Sequence, residues 1–257
     1  RTSSGISKIE GLFELAPSRA SSVAIELLAK LRSLALHGAL PAIGSGDTSV
    51  GLSVEAALGI PPNSNKAPDY NGIELKSGRS LSDDKNKSLL AMVPDWKASP
   101  IGSYAELLYK HGYLKEDGLK YLQCSVDGVR PNPQGLSLTV DLEVGRLIET
   151  HSDGQTTRPI LYWDLEEFQQ RLAAKHAETF WIEAEEVPDG FQLKRIFHTT
   201  TPRLSSMAMF LTDGTIFVDH TIRQKPEGGT RDHGMLFRIK VRSLQRLFTV
   251  EGEHALI

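Results

Sequence analysis

The segment Pro68-Asp69-Tyr70-Asn71-Gly72-Ile73-Glu74-Leu75-Lys76 brackets a turn signal with two carboxylates and an ammonium group. Asn-Gly is the strongest short-range hairpin signal, because both residues tolerate the positive φ that a type I′ turn demands. If Asn71 and Gly72 form that turn, Tyr70 pairs with Ile73 and Asp69 lies opposite Glu74. Cross-strand neighbours on one face have Cβ atoms about 4.5–5.5 Å apart. Strand alternation then puts Lys76 on the same face and turns Ile73 and Leu75 toward apolar packing. Two carboxylates with a backbone carbonyl nearby make a hard, all-oxygen site suited to Mg²⁺. Such an ion polarises a phosphodiester and acidifies a bound water, while a lysine beside it orients that water or stabilises transition-state charge. The same residues could instead form a surface hairpin whose ion pairs contribute little. Glu-x-Lys by itself is a common string.

The surrounding sequence supplies elements to hold such a hairpin. From Ser22 to His37, Ile25, Leu28, Leu31 and Leu34 recur at helical spacing and Gly38 supplies a stop. A second helix is expected from Thr48 to Leu58, entered through the glycine-rich Gly44-Ser45-Gly46-Asp47 and ended by Gly59. Pro61 to Asn65 reads as a loop, and the Ser-rich opening from Arg1 to Lys8 as frayed. Ser103 with Glu106 forms a capping box for a helix to about Lys110; Asp164 with Glu167 forms another, for a helix to about Glu178. Residues 119–126, 136–150 and 179–182 read as strands. Strand, helix and strand in that order, around Asp164, predict a crossover in a mixed sheet. Beyond Asp189 short strands and turns predominate, Asp213-Gly214 among them, with a closing helix near Ser243–Phe248. The fold class is α/β or α+β.

The chain has 257 residues, enough for one large domain or two lobes sharing a core. Its 40% hydrophobic and 24% charged content is ordinary for a globular protein. One cysteine, Cys124, excludes an intramolecular disulfide and a cysteine-built zinc site. That suits a cytoplasmic location, and no apolar run approaches membrane-spanning length. The chain opens with Arg1 rather than Met, as a fragment of a longer protein would; an additional N-terminal DNA-binding domain would then lie upstream. The net charge of −3 does not advertise a polyanion partner. Yet residues 141–189 carry twelve Asp/Glu against four Lys/Arg, and residues 194–242 carry nine Lys/Arg against four Asp/Glu. The second stretch could present a basic face to a phosphate backbone, or merely a solvated mixed surface. The usual strings of P-loop nucleotide binders, serine hydrolases and zinc proteases are absent.

Taken with its context, the hairpin resembles the PD-(D/E)xK nuclease motif, here Pro68-Asp69 followed by Glu74-Leu75-Lys76. The preceding run Ser49-Val50-Gly51-Leu52-Ser53-Val54-Glu55-Ala56-Ala57-Leu58-Gly59-Ile60 narrows the likeness. A glycine, a glutamate four residues on, Leu-Gly-Ile, then Pro-Asp and Glu-Leu-Lys is similar to the MvaI/BcnI restriction endonucleases and their mismatch-repair relative MutH. The close resemblance spans about residues 46–79, with a weaker echo in Asp232-His233-Gly234-Met235-Leu236-Phe237-Arg238-Ile239.

The resemblance implies a restriction-endonuclease-like mixed sheet flanked by helices, with a second, DNA-recognition lobe. The catalytic lobe is expected mainly in residues 1–185 and the recognition lobe mainly in residues 186–257. It further implies metal ligation by Asp69, Glu74 and the Leu75 carbonyl, Lys76 beside the attacking water, and Glu55 reaching the site from its helix. The ordinary fate of a helical glutamate is solvent. Around the Pro226-Glu227-Gly228-Gly229 loop, Arg223, Lys225, Arg231, Asp232 and His233 are candidate contacts to double-stranded DNA. Arg pairs bidentately with guanine and Asp accepts from cytosine N4, although half or more of DNA contacts go to the backbone. The implied activity is Mg²⁺-dependent cleavage by a monomer at a short site of the CC(A/T)GG or CC(C/G)GG kind, one strand at a time. The alternatives are a MutH-like nicking repair enzyme and a DNA-binding module without catalysis.

Overall fold

The computed structural model describes residues 21–61, 67–232 and 234–257. The opening segment Arg1 to Lys8, most of the 61–65 loop and His233 lie outside the described residues. Two helices come first, α1 (Ser22–His37) and α2 (Ser49–Ala57), followed by strands β1 (Glu74–Gly78) and β2 (Asn86–Ala91). Helix α3 (Tyr104–His111) leads to β3 (Tyr113–Leu114), β4 (Lys120–Val126), β5 (Leu136–Asp141), β6 (Arg146–Ser152) and β7 (Thr157–Asp164). Then come α4 (Leu165–Lys175), β8 (Glu178–Val187), β9 (Gly190–Pro202) and α5 (Met207–Thr212). The chain closes with β10 (Ile216–Gln224), β11 (Thr230–Arg231), β12 (Leu236–Lys240), α6 (Leu244–Leu247) and β13 (Phe248–Ala255).

The capping residues act as their chemistry predicts. Ser21 accepts from the Ala24 amide, Ser103 from that of Glu106, and Asp164 from that of Glu167, satisfying donors that the first helical turn leaves free. Helix α4 stops at Lys175, short of the expected Glu178, where His176 leaves helical geometry at φ −114°, ψ 33° and is buried.

Three sheets result. A four-stranded sheet runs β1-β8-β9-β13, with β1 parallel to β8 and the other pairs antiparallel. An antiparallel sheet runs β2-β12-β10-β4-β3, with β11 added on β10. The third is the antiparallel meander β5-β6-β7. The expected crossover around Asp164 is therefore corrected: β7 belongs to the meander and β8 to the four-stranded sheet, so α4 carries the chain between sheets. Nothing in the local pattern of β7 or β8 distinguishes these outcomes, since pairing partners are set by distant strands.

The four-stranded sheet is covered on both faces. On one, Leu75, Phe180, Ile182, Leu193 and Ile196 pack with Leu27 and Leu31 of α1 and Val50 and Val54 of α2. On the other, Trp181 and Phe248 join Leu89, Phe237 and Ile239 of the second sheet, Trp163 of the meander and Phe168 of α4. Neighbours Phe180 and Trp181 thus serve different cores, as alternation requires, and the central run of β8 is apolar because both of its faces are buried. Strands β9 and β13 complete the sheet that carries β1, whereas β2 to β7 build the other core. Among the described residues no helix is long and apolar enough to cross a membrane.

Candidate active site

The Asn-Gly hairpin forms as its sequence dictates. The Tyr70 amide donates to the Ile73 carbonyl at 2.9 Å and the Ile73 amide to the Tyr70 carbonyl at 2.8 Å. Asn71 and Gly72 have φ of 45° and 93°, the two positive values of a type I′ turn. The Asp69 carboxylate accepts from the Leu75 amide at 3.0 Å, which holds it against the start of β1. From behind, α1 grips the hairpin: the Tyr70 hydroxyl donates to Glu26 at 3.1 Å and accepts from Lys30 at 2.6 Å.

Glu74 is the centre of the arrangement. Its side chain is only 1% exposed, and its Oε1 meets Lys76 Nζ at 2.6 Å and Lys175 Nζ at 2.9 Å. Its Oε2 is buried and has no hydrogen-bond partner. An acceptor so placed is costly to leave bare and is completed well by a cation. Lys76 and Lys175 keep 23% and 21% exposure, so the cluster opens toward solvent on their side. The parallel register sets Glu74 beside Thr179 and Lys76 beside Trp181. Next to Lys175, His176 donates from Nε2 to the Leu89 carbonyl at 2.8 Å, and its Nδ1 accepts from the Thr179 hydroxyl at 3.0 Å. Its ring stacks on Trp181. Burial first, then the Lys76 charge, pushes its pKa down to about 3, so the ring is neutral.

Glu55, on α2, is half-buried and feels this cluster. Burial, then the Asp69 charge, raises its pKa; Glu74 adds to the rise and Lys76 opposes it. A Cβ at Gly51, one turn earlier, would stand 3.9 Å from the Glu55 carboxylate, in ordinary contact with it. Asp69, Glu74, Lys76 and Glu55 are thus brought together. Sequence reasoning missed Lys175 and His176, which approach from the far end of α4. A basic pair closing a capped helix before an apolar strand is their only local signal.

The donors suit a hard divalent cation: carboxylate oxygens of Asp69 and Glu74, one of them bare and buried, beside the peptide carbonyl of Leu75. Among the described residues no three His, Cys, Asp or Glu side chains converge as a ready-made metal cage. Two ammonium groups hold Glu74 Oε1 instead, and the Asp69 carboxylate accepts from the Leu75 amide.

The other candidate group lies on a different sheet. Arg223 pairs with Arg231 across the β10–β11 hairpin, and Lys225 closes its turn through bonds with Gly228 and Gly229. Arg231 and Asp232 are exposed, and Asp232 accepts from the Gly234 amide at 3.1 Å. Arg223, Lys225, Arg231 and Asp232 therefore share one basic hairpin.

A family model, described as the MvaI/BcnI restriction endonuclease family, matches residues 28–248. The chain is similar to the solved complex of restriction endonuclease MvaI with its cognate DNA substrate, at 20% identity and a TM-score of 0.77, over 93% of this chain and 100% of that one. It is also similar to MvaI in the absence of DNA, at 21% identity and a TM-score of 0.55, over 93% of this chain and 99% of that one. No curated protein matches it.

Proposed function

This chain belongs to the MvaI/BcnI restriction endonuclease family, which makes it a site-specific DNA endonuclease, and from that premise we propose that it hydrolyses double-stranded DNA with Mg²⁺ at the Asp69–Glu74–Lys76 cluster. The observation that carries this reading is Glu74: a buried carboxylate with two ammonium groups on one oxygen and nothing on the other.

Asp69, Glu74 and the Leu75 carbonyl would hold the ion. Bound there, Mg²⁺ would supply charge to polarise the phosphodiester and acidify a water. Lys76, tethered to Glu74 but still open to solvent, orients the attacking water and offsets the negative charge that grows on the phosphoryl oxygens. Glu55 stays on the same water through a hydrogen bond, its raised pKa making it an apt proton acceptor. Water oxygen bonds to phosphorus, the P–O bond to the leaving sugar oxygen breaks, and that oxygen takes up a proton. The β10–β11 hairpin reads the duplex, with Lys225 on phosphate and Arg231, Asp232 and His233 at base edges. The likeness to a protein solved on its cognate DNA supports a double-stranded substrate, and a CC(A/T)GG or CC(C/G)GG site is the specificity proposed.

Digestion of an unmethylated DNA of known sequence tests this directly. Discrete fragments are expected with Mg²⁺ and none in excess EDTA. Asp69→Ala, Glu74→Ala and Lys76→Ala should each abolish cutting while Lys76→Ala still binds DNA. Near wild-type cleavage by any of the three sinks the site assignment.

A further inference from the structure

The Glu74–Lys76 face of β1 continues one alternation further than the candidate site, to Gly78. A side chain at Gly78 would point to the same face as Glu74 and Lys76, because strand side chains repeat every second residue. That position is filled from another sheet. Lys87 of β2 places its Nζ 2.9 Å from where a Gly78 Cβ would stand. Gly78 does not have a positive φ, so its lack of a side chain matters for space, not for backbone conformation. The two edge strands, β1 and β2, therefore contribute to one row of amines: Lys175 and Lys76 at Glu74, then Lys87 over Gly78.

Lys87 differs from the other two in lacking an anion. Among the described residues no hydrogen bond or ion pair holds its ammonium. The nearest carboxylate, Glu183, sits beside Gly78 in the sheet register but is already occupied. Its Oε1 accepts from the Leu81 amide at 3.1 Å and its Oε2 pairs with Arg195. Burial drives the Lys87 pKa down to about 8, and Glu183 only partly offsets this. A partly buried ammonium with no counter-ion, aligned with the lysine of the reacting centre, is short of one negative charge. Positions 76 and 78 lie about 6.6 Å apart along the strand, so the Lys87 amine over Gly78 stands one side-chain step beyond the lysine of the candidate site.

We propose that Lys87, admitted by Gly78, binds the phosphate next to the scissile one and so sets the register of the cut strand over Glu74 and Lys76. This rests on the endonuclease reading above, and it makes Lys87 a positioning residue whose contact carries no sequence information.

The test measures binding of a short fluorescent duplex in Ca²⁺ across a series of KCl concentrations. It compares wild type with Lys87→Met and, independently, Gly78→Ala, which crowds only the mobile end of the lysine. Melting temperatures of both variants monitor folding, and Lys87→Met should not lower its own. Losing one phosphate contact should make the slope of log K against log[salt] shallower by about 0.9. Affinity should fall several-fold, equally on cognate and random duplexes, with Gly78→Ala shifting in the same direction. Single-turnover cleavage in Mg²⁺ should slow even at saturating protein, as expected of misregistered substrate. If wild type binds and both folded variants keep its slope and affinity, Lys87 has no phosphate and the proposal is overturned. If wild type itself binds no DNA, the endonuclease reading falls, and this proposal with it.

Discussion

Glu74 shows how a carboxylate can be partnered where water is nearly excluded. Its burial would cost several kcal/mol if the charge stood alone, and two ammonium groups on Oε1 offset that cost without touching Oε2. Beside it, burial first and the Lys76 charge second act on His176. The folded ring is neutral, with its pKa pushed down to about 3, against an ordinary value of 6.5. Between those values the unfolded chain binds the additional proton. Stability fully present above about pH 6.5 is therefore lost as pH falls toward 3, at about 1.4 kcal/mol per pH unit. Urea midpoints at pH 7 and pH 5 should separate accordingly, and His176→Gln should flatten the difference. An equally steep fall in the variant would assign the acid sensitivity elsewhere.

At the scale of elements, the hairpin before β1 is held from two sides. Its turn conformation comes from Asn71 and Gly72, and its orientation from the Tyr70 contacts to Glu26 and Lys30 on α1. Gly72, at φ 93°, has open space around it, so an added Cβ meets strain rather than a clash. Gly72→Ala should cost about 1–2 kcal/mol of stability. Its effect on cleavage should be larger, about a hundredfold, because a misplacement of about 1 Å at a reacting centre costs that much. Denaturant unfolding and single-turnover rates on the same variant check both numbers. A rate loss no greater than the stability loss explains would show that the turn does not position Asp69 against Glu74.

Across the whole molecule, the four-stranded sheet is the wall between two cores, and the candidate site sits where its edge strand β1 meets α4 and β2. The larger core is tied together by a buried hydrogen bond between His220 of β10 and Glu149 of β6 at 3.0 Å, which links the second sheet to the meander. Only one Asp69–Glu74–Lys76 constellation occurs in the chain, so under the proposed function a monomer would cut one strand per binding event and would have to rebind in the opposite orientation to cut the other. Supercoiled plasmid with one site, under enzyme excess, should pass through an open-circular intermediate before becoming linear. A time course read on gels, paired with light scattering for mass, decides this. Concerted linearisation by a dimer would refute it.

Residue types and short spacings were sufficient for whatever depends on neighbours in the chain. Asn71-Gly72 alone set Tyr70 against Ile73, Ser21, Ser103 and Asp164 capped their helices, and the Pro-Asp, Glu-Leu-Lys and Gly-x-x-x-Glu strings marked the residues that gather at Glu74. The turn and the caps rest on φ preference and side-chain hydrogen bonding, which act over a few residues, and the strings on their resemblance to a nuclease motif. The tertiary structure decided everything that pairs distant segments. That β8 lies parallel to β1, that Lys175 completes Glu74 and that Lys87 fills the space over Gly78 all depend on which strands meet. So does the membership of β9 and β13 in the β1 sheet. The closing strand β13 was invisible beforehand because Val250-Glu251-Gly252-Glu253-His254 has little apolar alternation of its own. It is a strand because β9 offers it an unpaired edge, and backbone hydrogen bonding to that edge is indifferent to the side chains that a reader of sequence can see.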